Sequence, residues 1–311
     1  IYVGTGDYDG GLGSGYGIQK SVDGGATWQT VGAAAFSGLS VKKIIISPAN
    51  PNHLIAVTDN SPIKGSTDGG ITWTNRTASS YNISGLTLGI PDGTGNRALM
   101  AATRSTTGML ISTDLGVTWT ATTLQPESTT SRRDVAASRV DPNTFYVVSS
   151  SNNIFKTTNR GATWTSLTAS FVPDTYNWRQ DTYAMHIDTA PNGAQDSVYV
   201  GLIDVCQSRD SGATWRSFGL AYTSNSILHN DQHSIAVNPL NGDEVMLGGD
   251  GGIYRANNAN QTAYTITPLN TELGGTTQFY DAAYHPTDKN RMIGGTQDNA
   301  SPASTGNLLS W

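Results

Sequence analysis

Ser21-Val-Asp-Gly-Gly-Ala-Thr-Trp28 is the first of five copies of the eight-residue motif that decides the fold. The other copies share its pattern: Ser66-Thr-Asp-Gly-Gly-Ile-Thr-Trp73, Ser112-Thr-Asp-Leu-Gly-Val-Thr-Trp119, Thr157-Thr-Asn-Arg-Gly-Ala-Thr-Trp164 and Ser208-Arg-Asp-Ser-Gly-Ala-Thr-Trp215. Successive copies begin 45, 46, 45 and 51 residues apart. A degraded sixth copy lies at residues 256–264, with Tyr264 in the place of the tryptophan. A repeat of this period indicates one structural unit per copy.

Each copy has the residues of a tight β-hairpin turn. A carboxylate at the third position can accept backbone N–H groups within the turn, and the glycine at the fifth position tolerates a positive φ. The tryptophan that ends the copy can pack between neighbouring sheets. The motif is therefore expected to be architectural rather than catalytic. The residues in this structural role are Asp23, Asp68, Asp114, Asn159 and Asp210, with Trp28, Trp73, Trp119, Trp164 and Trp215.

The sequence around each copy indicates four short strands. In the second repeat these are residues 41–47, 53–59, 62–66 and 72–76. Four antiparallel strands in one repeat of this length are typical of a propeller blade. The predicted fold is thus an all-β, seven-bladed β-propeller of four-stranded antiparallel blades. It is expected to form one domain, with blades at roughly 1–32, 33–78, 79–124, 125–169, 170–220, 221–270 and 271–311.

The two terminal blades are expected to be incomplete. Residues 1–6 have the pattern of a second strand, so the first blade lacks its inner strand. The last blade offers two strands within residues 279–298 and a third at 307–311, but no fourth. Because the sequence opens directly on a strand without a signal peptide, it is interpreted as a mature or trimmed product. The native polypeptide is expected to extend past one or both ends.

The composition excludes several classes of protein. Glycine accounts for 35 of 311 residues and charged residues for only 14%, which is unlike a coiled coil or a helical bundle. The net charge of −6 argues against a basic nucleic-acid groove, and no apolar run is long enough to span a membrane. A single cysteine, Cys206, excludes an intrachain disulfide and is expected to be a small buried hydrophobic residue.

The motif S/T-x-D/N-x-G-x-T-W is similar to the Asp-box, or BNR repeat, of sialidases, sortilin-like receptors and several glycoside hydrolase families. The C-terminal third resembles a group of secreted bacterial Asp-box propellers that are similar to sortilin-like proteins and are described as glycosyl hydrolases. The residues that carry this second resemblance are His229, Asp231, Gln232, His233, Asp250, Gly251, Gly252, Thr277, Gln278, Phe279, Tyr280, Gln297, Asp298 and Asn299. The resemblance implies an extracellular or cell-surface location.

Carboxylates recur where the second strand of a blade ends. Five of the seven predicted blades have one there, namely Asp7, Asp59, Asp204, Asp250 and Asp298. In a propeller these strand ends crowd the mouth of the central channel, where functional groups are expected to lie. The alternative is that each aspartate caps its own turn.

The densest polar stretch is His229-Asn-Asp-Gln-His233, which precedes a predicted strand and faces residues 249–252 and 295–299. On an extended segment His229, Asp231 and His233 would lie on one side, where they could ligate a divalent metal. Two other interpretations are a hydrogen-bonded network that locks the crossover and direct contact with substrate. No other cofactor is indicated.

Two functions remain open. The first is a module that binds a polysaccharide or an extracellular protein or peptide. The alternative is a glycoside hydrolase in which Asp231, Asp250 and Asp298 supply the paired carboxyl groups that glycosidases need. Substrate-binding candidates in either case are His229, His233, Gln297, Asn299, Asp204 and Asp7, with Tyr176 and Trp178 stacking on a sugar ring.

Two enzyme subtypes are constrained by the resemblance. Sialidases with similar boxes add an arginine motif before the first box and a Tyr–Glu pair. This sequence has no clear arginine motif there and few glutamates, so sialidase activity is not expected. Xyloglucanases of the Asp-box type use two propellers with a cleft between them, so one propeller would be half of such an enzyme.

Overall fold

The structure is a computed structural model that describes residues 1–6, 14–122, 124, 131–150, 153–168, 183–219 and 227–270, and the backbone of three further strands up to residue 305. Its strands form seven antiparallel sheets, five with four strands and two with three. The predicted all-β architecture of four-stranded antiparallel sheets is therefore confirmed. Within the described residues the α-helical part is one short helix, α1 (Ala33–Phe36).

The strands follow chain order from sheet to sheet. Sheet 1 has β1 (Tyr2–Gly4), β2 (Ile18–Lys20) and β3 (Gln29–Val31), and sheet 2 has β4 (Val41–Ile46), β5 (Leu54–Thr58), β6 (Lys64–Ser66) and β7 (Thr74–Asn75). Sheet 3 has β8 (Ile83–Leu88), β9 (Leu99–Thr103), β10 (Met109–Ser112) and β11 (Thr120–Thr122), and sheet 4 has β12 (Arg133–Ala137), β13 (Phe145–Ser149), β14 (Asn153–Thr157) and β15 (Thr165–Ser166). Sheet 5 has β16 (His186–Asn192), β17 (Gln195–Gly201), β18 (Val205–Ser208) and β19 (Arg216–Gly219). Sheet 6 has β20 (Gln232–Val237), β21 (Val245–Gly249), β22 (Gly252–Asn257) and β23 (Thr265–Pro268), and sheet 7 has β24 (Phe279–Tyr284), β25 (Arg291–Thr296) and β26 (Ala303–Thr305).

The terminal sheets have three strands each, and one strand differs from the prediction. β1 pairs with β2, so the strand expected at residues 1–6 forms over a shorter span. In the last sheet the third strand is β26, which pairs with β25 through Ile293↔Ala303. The strand placed at residues 307–311 was therefore assigned too late in the sequence, because the chain returns to pair with β25 sooner than expected. Residues 307–311 themselves lie outside the described residues.

The apolar core is divided into clusters, each lying between two successive sheets. Between sheets 3 and 4, for example, Met100 and Ala102 pack against Phe145 and Val147. First strands also contact first strands, as β4 contacts β8, β8 contacts β12, β12 contacts β16 and β16 contacts β20. Full burial of a side chain such as Phe145 contributes about 2–3 kcal/mol, so sheet-to-sheet packing supplies most of the stability. Cys206 is buried in the cluster between sheets 4 and 5.

The repeated motif forms the turn between the third and fourth strands of a sheet. In the second copy Ser66 Oγ accepts a hydrogen bond from Gly70 N at 2.9 Å and donates one to Asp68 Oδ1 at 2.8 Å. Asp68 Oδ1 accepts the Thr72 N–H at 2.9 Å, and Trp73 Nε1 donates to Gly70 O at 2.9 Å. The Thr72 hydroxyl, the main cause, lowers the pKa of Asp68 to about 2. The side-chain polar groups of Ser66, Asp68 and Thr72, and the indole N–H of Trp73, thus bond within the turn.

The fourth copy shows that this turn does not need a negative charge. Here asparagine replaces aspartate, and Asn159 Oδ1 accepts the Thr163 N–H at 2.9 Å. The amide of Asn159 donates to Thr163 Oγ1 at 2.8 Å, which replaces the bond that a carboxylate accepts in the other copies. An amide that serves as well as a carboxylate indicates a role in local structure rather than in acid–base chemistry.

Candidate functional site

The first strands of five successive sheets surround a cavity of about 230 Å³, which we call the central cavity. Its lining comes from the start of each first strand, with one residue from β5: Lys42, Lys43, Val57, Ser84, Gly85, Arg132, Asp134, Met185, His186, His233 and Ser234. The cavity therefore lies where the inner strands of the sheets converge, at the place where the sequence predicted the mouth of a channel.

A β-bulge at the same place in several sheets shapes this lining. The pairing of β4 with β5 shifts between Val41 and Lys43, which leaves Lys42 as the extra residue. Equivalent shifts make Ser84 the extra residue of β8 and His233 that of β20. The backbone of β24 has the same irregularity at Tyr280. A bulge turns a side chain away from regular alternation, so consecutive residues of one strand can face the same cavity.

Two of the bulge residues pair with the carboxylate that follows the second strand of their own sheet. Lys42 Nζ forms an ion pair with Asp59, and its side chain is only 4% exposed. His233 Nε2 lies 2.8 Å from Asp250 Oδ1. The ring of Tyr183 meets the ring of His233 edge to face, with centroids 4.7 Å apart. The carboxylates predicted at these two strand ends thus bond across to the first strand and fix its bulge residue.

A third ion pair connects three sheets. His186 Nδ1 lies 2.8 Å from Asp134 Oδ2, and His186 Nε2 lies 3.1 Å from Ile235 O. The carboxylate of Asp134 also accepts the backbone N–H of Val135 and of Ile187. A neutral imidazole can donate to one of its two neighbours only, whereas an imidazolium satisfies both acceptors at once. His186 therefore bridges the Asp134 carboxylate of sheet 4 and the Ile235 carbonyl of sheet 6.

The charges around Asp134 outweigh the effect of its burial. Burial raises the pKa of this carboxyl group. The charges of His186 and Lys43 lower the pKa by more than burial raises it, and the result is a pKa of about 2. The side chain of Asp134 is only 5% exposed, so solvent screens these interactions weakly.

This lowered pKa predicts a specific acid sensitivity. Because the folded-state pKa lies below the unfolded value of 3.8, the carboxylate stabilises the protein above about pH 4 and loses that effect as the pH falls through 2. The wild-type protein should lose about 1 kcal/mol more unfolding free energy than Asp134→Asn between pH 7 and pH 3, and about 2 kcal/mol more by pH 2. Urea denaturation at a series of pH values measures this difference. Parallel pH profiles for the two proteins would contradict it.

The polar stretch at residues 229–233 was predicted to be extended, and the structure shows that it is not. Asp231 has a φ of 60°, in the left-handed region, and β20 begins only at Gln232. The alternation that would place His229, Asp231 and His233 on one side therefore fails. Asp231 is 4% exposed and accepts a hydrogen bond from Asn230 Nδ2 at 2.7 Å, while His229 Nδ1 lies 3.2 Å from Asn230 O. Within the described part of the chain, no three His, Cys, Asp or Glu side chains come together as metal ligands.

Backbone hydrogen bonds hold this stretch against its neighbours. Asp231 N donates to Ile203 O of sheet 5 at 3.2 Å, and Asp250 N donates to Asp231 O at 3.2 Å. A glycine is needed at the contact, because a Cβ on Gly251 would lie 2.1 Å from the Cβ of His229. The glycine-rich turn after β21 thus allows the crossover to pass close to it and places Asp250 beside His233.

The remaining predicted site residues divide into two groups. Asp204 is buried, with 6% exposure, and its backbone oxygen accepts the Leu202 N–H at 2.9 Å. The others lie outside the described residues and stay predictions: Asp7, Tyr176, Trp178, Gln297, Asp298 and Asn299.

Most of the cavity lining was missed in the sequence. The polar stretch predicted His233, and the ends of the second strands predicted Asp250, which bonds to His233 but does not line the cavity. The prediction did not include a comparison of the starts of the first strands. That comparison holds a signal, since Lys42-Lys43, Arg132-Arg133-Asp134 and Met185-His186 bring charged or ionisable residues to the same point of successive repeats.

The sequence matches no protein-family model and no curated protein sequence. Solved structures do resemble the chain. A GH74 enzyme from Niastella koreensis has a TM-score of 0.66 at 20% identity, over 94% of this chain and 48% of that one. A GH74 xyloglucanase from Xanthomonas campestris has a TM-score of 0.65 at 13% identity, over 96% and 49%.

PorZ, a bacterial surface component of the type IX secretion system of Porphyromonas gingivalis, has a TM-score of 0.57 at 15% identity, over 99% of this chain and 45% of PorZ. The chain thus spans about half the length of each of these structures. Among the described residues, no helix has the length and apolar character needed to cross a membrane. The likenesses and the sheet order together show that the chain has a β-propeller fold.

Proposed function

We propose that this β-propeller is an extracellular or cell-surface module that binds a ligand, a polysaccharide or an extracellular protein or peptide, without cleaving it. The state of the predicted catalytic carboxylates carries the proposal. Asp231 is 4% exposed and bonded to Asn230, and Asp250 is held by His233. A glycosidase needs two carboxyl groups that face each other across the scissile bond. Both of the predicted catalytic carboxylates that the structure describes are thus hydrogen-bonded to other side chains of the protein.

Two further assignments belong to this proposal. Seven sheets and five copies of one turn support a seven-bladed propeller of the Asp-box type. Likeness to PorZ, which is a bacterial surface component, supports the extracellular or cell-surface location. A binding role also agrees with the central cavity, whose polar and charged lining is held in place by ion pairs rather than exposed on a loop.

The alternative is a glycoside hydrolase, which the fold likeness to two GH74 enzymes favours. In that case Asp250 would act with Asp298, which lies outside the described residues. Because the chain spans about half of either enzyme, the remaining half of a cleft would have to come from outside this propeller.

A polysaccharide panel separates the two functions. The purified protein should be retarded in native gels that contain its polysaccharide, and should release no reducing ends from the same polymer. Asp250→Asn should leave the release assay at background and should weaken retardation by about three-fold or more, because it loosens His233. Glu244→Gln, in which an amide acceptor replaces the carboxylate acceptor for Asn238, is the matched control.

Two results would contradict the binding role. The first is release of reducing ends that disappears in Asp250→Asn, which would establish the hydrolase. The second is the absence of retardation by every polysaccharide together with the absence of binding to a displayed peptide library, which would remove the ligand-binding proposal altogether.

A further inference from the structure

The central cavity is positively charged although the chain is acidic. Of the residues that the structure describes, Lys42, Lys43 and Arg132 face it together with one carboxylate, that of Asp134. The chain as a whole has a net charge of −6, so this concentration of cations is a local arrangement rather than a consequence of composition. A cleft lined mainly by one sign of charge attracts ions of the opposite sign.

The charges of the lining are not all neutralised by one another. Lys42 is paired with Asp59, and His186 is paired with Asp134. Lys43 is half-buried, and with the described residues it forms no hydrogen bond and no ion pair; its influence on Asp134 is through the field alone. The guanidinium of Arg132 is oriented by a hydrogen bond from Nη1 to Tyr183 O at 2.7 Å. The ammonium of Lys43 is thus a half-buried cation to which a ligand can supply the counter-charge.

The rest of the lining is polar and small. Ser84 and Ser234 contribute hydroxyl groups, and His233 contributes an imidazole ring. Val57 and Met185 are each only 1% exposed and offer almost no apolar surface. At about 230 Å³ the cavity is smaller than the pockets of about 300–1,000 Å³ that take drug-sized ligands. The hydroxyl and imidazole groups beside the Lys43 ammonium fit a single sugar unit that carries a carboxylate and several hydroxyl groups.

We propose that the central cavity binds the carboxylate of a hexuronic acid, with Lys43 as its charge partner. The hydroxyl groups of the same sugar are then recognised by Ser84, His233 and Ser234. This inference rests on the proposed function, because it names an acidic polysaccharide as the glycan that the propeller binds. Arginine and lysine bind carboxylates by charge-assisted hydrogen bonds, which are stronger in a partly dehydrated cavity than on an open surface.

Calorimetric titration of the purified protein with sodium D-galacturonate, D-galactose, sodium acetate and inorganic phosphate tests the proposal. Galacturonate should bind about ten-fold or more tightly than each of the other three ligands, which is on the order of the effect of one charge-assisted hydrogen bond. Raising the salt concentration from about 50 to about 500 mM should weaken galacturonate binding, because salt screens the charges. Lys43→Gln should weaken galacturonate binding by about ten-fold, and Lys43→Arg should retain it. Lys64→Gln is the matched control, since Lys64 lies on β6 of the same sheet and donates to Asn75 outside the cavity.

Several outcomes overturn the inference. Equal affinities for galacturonate and galactose would show that the cavity does not recognise the carboxylate. Acetate or phosphate binding as tightly as galacturonate would show that the cavity does not recognise the sugar. Unchanged galacturonate affinity in a folded Lys43→Gln would place the site elsewhere. Retention of a neutral polysaccharide without galacturonate binding would overturn this inference and leave the proposed function standing. Galacturonate binding that depends on Lys43 with no retention by any polysaccharide or peptide would leave the carboxylate site standing and overturn the proposed function.

Discussion

Replacing Asp134 with asparagine is expected to lower the free energy of unfolding at pH 7 by about 3 kcal/mol. The substitution keeps the size of the side chain and removes its charge, so His186 loses its counter-ion while it remains mostly buried. His186 also bonds to Ile235 O, so the pair holds sheets 4, 5 and 6 together at the wall of the central cavity. Equilibrium denaturation in urea, followed by tryptophan fluorescence, measures the loss.

A double-mutant cycle assigns this loss to the ion pair. In the background of His186→Gln, Asp134→Asn should cost at least about 1 kcal/mol less than it does in the wild type, because the imidazole that Asp134 bonds is then absent. Glu244→Gln is the control, since its carboxylate accepts from the neutral amide of Asn238 and should change stability by less than about 0.5 kcal/mol. A loss below about 1 kcal/mol for Asp134→Asn would mean that the pair does not stabilise these sheets.

The repeated motif allowed the sheets to be predicted because it marks the same turn in each of them. In the second repeat the predicted strands agree with β4 to β7 to within about two residues, since turn residues bound every strand. The prediction was wrong at the last sheet, where no motif copy follows to mark the turn. There β26 forms at Ala303–Thr305 rather than at residues 307–311.

The candidate site could be predicted only in part, and the bulges explain why. Strand alternation predicts that Lys42 and Lys43 point to opposite faces of their sheet. The bulge at Lys42 brings both residues to the cavity, and the bulges at Ser84 and His233 do the same for Gly85 and Ser234. A bulge depends on how two strands pair, so it cannot be predicted from the sequence of one strand alone.

The stretch at residues 229–233 was misread for a related reason. Its residue types predicted an extended segment, but the left-handed conformation of Asp231 depends on contacts from two other segments. Asp231 N bonds to Ile203 O of the preceding sheet, and Asp231 O accepts from Asp250 N across the glycine-rich turn. Aspartate adopts such a conformation more readily than most residues, yet only the neighbouring sheets impose it here.

Replacing Gly116 with alanine is expected to lower the free energy of unfolding by about 3 kcal/mol, and the same change at Gly25 by only about 1 kcal/mol. Both glycines hold the fifth position of the motif and have a positive φ, 83° for Gly116 and 99° for Gly25, so both variants carry similar backbone strain. Their surroundings differ. A Cβ on Gly116 would lie 2.5 Å from Ile55 Cδ1 of the preceding sheet, whereas among the described residues the nearest atom to a Cβ on Gly25 is 3.6 Å away.

The difference between the two variants therefore measures how closely a motif turn packs on the neighbouring sheet. Ile55 lies in the core between sheets 2 and 3, where a displaced side chain has few alternative positions. Urea denaturation of both variants gives the two costs, and Ile55→Val combined with Gly116→Ala should recover about 1 kcal/mol of the crowding, because it removes the methyl group nearest to the new Cβ. Equal costs at the two positions would show that the motif glycine is required only for the conformation of its own turn. A larger cost at Gly116 would show that the repeated turn also sets the distance between neighbouring sheets, and with it the position of the first strands around the central cavity.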